Sequence, residues 1–237
     1  MESLKAPRDA LHRVAAHIVA RSRVDAEGRF SLRVTPGGLG TPEHGPTKSR
    51  VRISGDHLVV EADVAGAPSA KSVPIKGATL RQLAEFAGVD LARPLDVGSD
   101  ALPLGDIDAP IDLDSGGART LASWFGEVAA ILDGVLAAMP ASAAATLPRL
   151  WPEHFDVAVE AQARPDRRVN LGGSPGDGFL DEPYLYVGPW TSDRPGAPEF
   201  WNASFGASRA RGDLADGDGD VIVSGAAFLL EGFRRLA

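Results

Sequence analysis

Cysteine is absent from the 237 residues, which excludes disulfide frameworks, thiolate zinc sites, iron–sulfur clusters and cysteine nucleophiles, because each requires a sulfur atom. Positive charge is also short: Lys and Arg number 24 against 32 Asp and Glu, for a net charge of −8 and a pI near 5.1. Nucleic-acid affinity comes chiefly from cations that displace counterions from phosphates, so no nucleic-acid partner is expected. No basic N-terminal block precedes an apolar run and cleavage site, and no apolar stretch reads as long enough for a membrane span. The expectation is a soluble, cytoplasmic protein with no membrane partner. Arginine outnumbers lysine and alanine is abundant, a usage that points to a GC-rich bacterial genome.

What is present suits a packed globular chain. Hydrophobic residues make up 44%, while 27 Gly and 18 Pro imply many turns. Leu11, Val14, Ala15, Ile18 and Val19 recur at helical spacing, so Pro7 to Arg21 reads as an amphipathic helix. Phe30, Leu32 and Val34 alternate as a strand before the turn-rich run from Pro36 to Pro42. Val51 with Ile53 and Leu58 with Val60 flank Gly55-Asp56, which predicts a tight hairpin.

Thr79 is placed to cap a short helix that Gly88 can end. A long connection from Pro94 to Gly117 then leads to a helix over Arg119 to Met139, striped by Leu121, Trp124, Phe125, Val128, Ile131, Leu132, Val135 and Leu136. Pro140 and Ala141 to Thr146 read as a linker. Beyond it, β patterns cover Phe155 to Val159, Val169 to Leu171, Tyr184 to Gly188 and Phe200 to Phe205, before a closing helix with Ser224 as its N-cap.

The predicted fold class is α+β, with antiparallel sheets packed against helices. The order admits two αβ(3–4)α halves merged into one domain: an N-terminal half over 1–140 and a C-terminal sheet plus terminal helix over 147–237, forming one compact unit together.

Three motifs fail on their context. Gly172-Gly173-Ser174-Pro175-Gly176 fits the G-x-S-x-G nucleophile elbow, but the following glycines and Pro183 preclude the required helix, and no histidine follows Ser174. Asp213, Asp216, Asp218 and Asp220 resemble a calcium loop, yet Val221 and Ala227 stand where that loop needs glycine and glutamate, so a surface turn is expected. Gly37 to Gly40 lacks the lysine and hydroxyl of a phosphate loop.

Glu153-His154-Phe155-Asp156 places three ionisable groups at the head of a predicted strand, with His154 and Asp156 on one face. A carboxylate beside a histidine could orient it as a base or a metal ligand, while a histidine packed on Trp151 would be structural. Tyr184, Tyr186, Trp190, Trp201 and Asn202 crowd the second half and suit a pocket wall or a core.

The series V-T-P-G-G-L-G-T-P from Val34, G-D-H-L-V-V-E from Gly55, W-P-E-H-F-D-V-A-V from Trp151, S-P-G-D-G-F from Ser174, E-P-Y-L-Y-V from Glu182 and F-W-N-A-S-F-G-A from Phe200 resembles bacterial proteins grouped as domain of unknown function 5996. The likeness covers most of the chain, and its second-half motifs are the more specific. The chain departs from the family pattern where Ser22 to Arg29 lacks a longer tryptophan-bearing insertion. The resemblance implies a shared fold and carries no reaction.

The leading expectation is a small-ligand-binding or accessory protein, with candidate contacts Glu153, His154, Asp156, Ser174, Asp177, Glu182, Tyr184, Trp190 and Asn202. The alternatives are a metal-assisted or acid–base enzyme using His154 and Asp156, and a structural or protein-interaction domain. Metal, cofactor, substrate and oligomeric state are not readable from the residues.

Overall fold

A computed structural model describes residues 3–95, 101–215 and 220–237. The chain is α+β, and the described residues form two five-stranded antiparallel sheets. It divides into two compact units, Met1–Gly126 with Leu150–Phe155, and Glu127–Arg149 with Asp156–Ala237. The Pro140 to Thr146 stretch, expected as a linker, lies inside the second unit, where Ala141–Ala143 form a 3-10 turn.

The first unit opens with a helix longer than the apolar spacing predicts: α1 (Lys5–Val14) widens into a π-helical segment, Ala15–Ala20, and resumes as α2 (Arg21–Glu27). All six π residues are buried, and so are polar residues that an amphipathic helix would turn to solvent, among them His12, His17, Arg21 and Arg23. Each sends one side-chain nitrogen to backbone oxygens of irregular chain, where a buried carbonyl needs a donor. His12 Nε2 donates to the Pro152 carbonyl at 2.7 Å and His17 Nε2 to that of Leu102 at 2.7 Å, while Arg21 donates to those of Asp90 and Arg93 at 3.0 and 2.9 Å.

The first sheet is a meander of β1 (Arg33–Thr35), β2 (Gly38–Gly40), β3 (Arg50–Ser54), β4 (His57–Val64) and β5 (Ala67–Pro74). The glycine run expected as a turn supplies β2, because a Cβ at Gly40 would stand 2.4 Å from Arg52 Cβ on the neighbouring strand. The hairpin at Gly55-Asp56 is present, with Ile53 opposite Leu58. Helix α3 (Leu80–Ala87) carries a Thr79 capping box with Gln82 and ends on a left-handed Gly88.

Helix α4 (Ser115–Ala138) begins in the first unit and continues into the second. Contrary to the sequence reading, its 24 residues are long and apolar enough to cross a membrane by length and composition. Its apolar stripe is nevertheless consumed by packing: Leu121, Trp124, Phe125, Val128, Ile131, Leu132 and Val135 are all at most 1% exposed.

The second sheet runs β10-β9-β8-β7-β6, from β6 (Arg149–Trp151), β7 (Asp156–Arg164), β8 (Arg167–Ser174), β9 (Tyr184–Pro189) and β10 (Ala207–Ala210). The strand predicted over Phe200 to Phe205 is instead a 3-10 turn at Pro198–Phe200 followed by a tight turn, and pairing resumes at Ala207. After the short α5 (Arg211–Leu214), the closing helix α6 (Val221–Leu236) is capped by Asp220, whose carboxylate accepts from Ile222 N at 2.8 Å; Ser224 lies within the helix and does not cap it. Of the aspartate run, Asp213 lies in α5 and Asp220 is this cap, while Asp216 and Asp218 fall outside the described residues.

Candidate functional site

Strand geometry sorts the second sheet into two unlike faces. Val157 lies opposite Gly173, Val159 opposite Leu171, and Gly173 opposite Leu185. These residues share one face, because side chains alternate along a strand. That face is packed on α4 and α6: a Cβ at Gly173 would lie 2.6 Å from Val128, and one at Gly232 would lie 2.5 Å from Val187. The other face carries Asp156, Ala158, Gly172, Ser174, Tyr184 and Tyr186, with Gly172 opposite Tyr186 and Ser174 opposite Tyr184.

On this second face two phenols meet two carboxylates. Tyr186 donates its hydroxyl to Asp156 Oδ2 in a short hydrogen bond, and Tyr184 donates to Asp177 Oδ2 at 2.6 Å. The Tyr186 ring lies over Gly172, where a Cβ would come within 2.8 Å of its Cζ and hydroxyl. The other Asp177 oxygen accepts from Phe179 N at 2.8 Å and Leu180 N at 3.2 Å, closing an Asx turn that presents Phe179. Phe205 is presented by the turn closed by Ala203 and Gly206, where a Cβ at Gly206 would stand 2.0 Å from the Val187 carbonyl oxygen.

The four rings close a circuit. Phe179 meets Tyr184 at 5.7 Å between centroids, Tyr184 meets Tyr186 at 6.5 Å, Tyr186 meets Phe205 at 6.3 Å, and Phe205 returns to Phe179 at 5.0 Å. Neighbouring planes are tilted or edge-on, as ring quadrupoles prefer. Phe179 is 48% exposed and Tyr186 half-buried, whereas Tyr184 and Asp156 are buried. Burial, reinforced by the Asp177 hydrogen bond and charge, pushes the Tyr184 phenol up from its ordinary value. Burial and then the Asp156 charge and hydrogen bond do the same to Tyr186. Both phenols therefore remain protonated donors across the neutral range, and each holds its carboxylate in a fixed direction.

The structure thus brings Asp156, Ser174, Asp177 and Tyr184 together, with Ser174 in side-chain hydrogen-bond contact with Tyr184. Glu153 and His154 belong to the first unit, in the turn 152–155, where Phe155 takes a φ of +56°. The strand begins only at Asp156, so His154 sits exposed in a turn, and the strand face predicted to unite it with Asp156 does not exist. Glu182 is exposed in the loop entering β9. Trp190 follows β9 and is 56% exposed, with its indole N–H donated to Asn170 at 3.1 Å and Arg168 over its ring at 4.5 Å. Asn202 clamps the backbone of Ser208 through 2.8 and 3.0 Å hydrogen bonds, which fixes the approach to β10.

Phe179 and Phe205 were not legible as site residues. The available signals were local: Asp177 two residues before Phe179 suits an Asx turn, and Gly206 permits the close approach beside Phe205. Among the described residues no group of three His, Asp or Glu side chains is arranged to hold a metal ion. No family model, no curated protein and no solved structure matches the chain.

Proposed function

We propose that the protein is a binding module for a small organic cation, seated on the polar face of the second unit's sheet. The observation that carries this reading is the closed circuit of Phe179, Tyr184, Tyr186 and Phe205, wired to Asp156 and Asp177. Ring faces carry negative quadrupole density, and carboxylates held by protonated phenols add negative charge of fixed direction; both attract an ammonium group. Binding is favoured over acid–base catalysis because each phenol already donates its one proton to a carboxylate, and neither titrates near neutrality.

The test is calorimetric titration with choline beside its neutral isostere 3,3-dimethylbutan-1-ol. Choline is expected to bind, and the isostere to bind at least about fivefold more weakly, from a cation–π contribution on the order of 1 kcal/mol. Replacing the exposed Phe179 by alanine should weaken choline by a similar factor while the melting temperature stays near that of the parent. Equal affinity for both probes, or choline binding indifferent to Phe179→Ala, would remove the reading.

A further inference from the structure

We infer that the first unit carries a separate site, a cleft for a free α-amino acid between the 43–50 loop and the β4–β5 hairpin. The cleft holds about 420 Å³, within the range of small-molecule sites. Its walls are fixed by backbone. His44 and Ser49 exchange hydrogen bonds of 3.0 and 2.9 Å, and the Asp63 N–H donates to the Thr47 carbonyl at 2.9 Å, which ties the loop to the hairpin one residue before Lys48. At the hairpin tip Ala65 and Gly66 both have positive φ, +54° and +81°, as a two-residue type I′ turn requires, and Asp63 pairs with Pro68.

The charges lining the cleft fall into two sets. Arg50 is bracketed by carboxylates, paired closely with Glu43 and 3.6 Å from Glu61, which in turn takes Arg52 at 2.9 Å. Those charges are mutually answered. Lys48 and Asp63 are exposed, and their side chains form no hydrogen bond or ion pair with any described residue. A cleft with one uncommitted cation and one uncommitted anion is matched by a ligand bearing both opposite charges. A free amino acid supplies a carboxylate for Lys48 and an ammonium for Asp63, and Pro68 and Ala70, on the same sheet face as Asp63, offer its side chain an apolar lining. An added peptide strand is disfavoured, because the sheet edge here is β5, which carries Pro68, Lys71 and Pro74.

The experiment is a titration of the intact protein, followed by amide chemical shifts, with leucine, with N-acetyl-leucine, which lacks the ammonium, and with leucinamide, which lacks the carboxylate. Leucine should give saturable shifts confined to residues 43–50 and 61–70, and each capped derivative should bind about fivefold more weakly, as expected for one exposed ion pair. Lys48→Ala should weaken leucine and leave leucinamide unchanged; Asp63→Asn should weaken leucine and leave N-acetyl-leucine unchanged. Neither side chain supports the fold, so both variants should melt like the parent. Absence of shifts in the cleft at high millimolar leucine would overturn the proposal, and so would equal binding of leucine and its capped forms.

Discussion

His12 and Gly172 both occupy positions where the neighbourhood, more than local sequence pattern, decides the residue. Gly172 lacks a side chain because the Tyr186 ring fills that space and the Val157 carbonyl oxygen would lie 2.5 Å from a Cβ. The first three residues of the G-G-S-P-G string thus end strand β8, whose glycines admit a ring on one face and a helix on the other. His12 is stacked on Phe155 with centroids 4.9 Å apart and planes at 8°, and its Nε2–H is held by Pro152 O. Burial outweighs that hydrogen bond and lowers its pKa to about 4. In the unfolded chain the ring titrates near its ordinary value of about 6.5. Above that pH the ring is neutral in both states and its contribution to stability is complete. As pH falls towards about 4 the unfolded chain takes up a proton that the folded chain refuses, and stability is lost. The loss integrates to about 3 kcal/mol. Urea unfolding at about pH 7 and about pH 4.5 should show the parent losing roughly 2–3 kcal/mol more than His12→Gln, which keeps a donor for Pro152 but does not titrate. Equal losses in the two proteins would mean that His12 is not the group responsible.

Elements were legible where one local rule sufficed. The Thr79 cap, the Gly88 stop, the Gly55-Asp56 hairpin and the apolar stripe of α4 each stand in the structure as their residues predict. Elements set by neighbours were not: β2 consists largely of glycine, β5 is exposed along nearly its whole length, and α6 is capped by Asp220, four residues before the Ser224 expected as its N-cap. The same distinction gives two glycine-to-alanine substitutions opposite signs. Gly126 sits exposed inside α4, and a Cβ added there would meet nothing within 4 Å, so Gly126→Ala should add up to about 1 kcal/mol through helix propensity alone. Gly232 lies inside α6 with Val187 carbons 2.5, 2.8 and 3.1 Å from a Cβ. Gly232→Ala should therefore destabilise by about 1–3 kcal/mol despite the same propensity gain. Melting curves of the two variants beside the parent decide the matter, and a stabilised Gly232→Ala would show that α6 can shift away from the sheet at little cost.

At the scale of the whole molecule, the order of helical and strand patterns marked the fold class correctly, and the sequence did not locate the division between units. Composition shifts draw attention to Pro140 and the alanines after it, whereas the boundary falls between Gly126 and Glu127, inside a continuous helix. The chain then returns to the first unit for six residues, Leu150–Phe155. Those residues are core: Leu150 is fully buried and bridges Leu32, and Phe155, 1% exposed, stacks on His12 and meets Phe125 edge-on at 5.2 Å. Removing a buried phenylalanine typically costs about 3–5 kcal/mol, a large part of the roughly 5–15 kcal/mol by which a domain is stable. A chain ended after Gly126 should accordingly fail to give a dispersed amide spectrum. Joining residues 149–155 to that end through a short Gly/Ser linker should recover dispersion, because it restores the Leu32 bridge and the Phe155 stack. A folded spectrum from residues 1–126 alone would show the returning segment to be dispensable, while failure of the linked chain as well would show that the segment does not suffice to restore the unit.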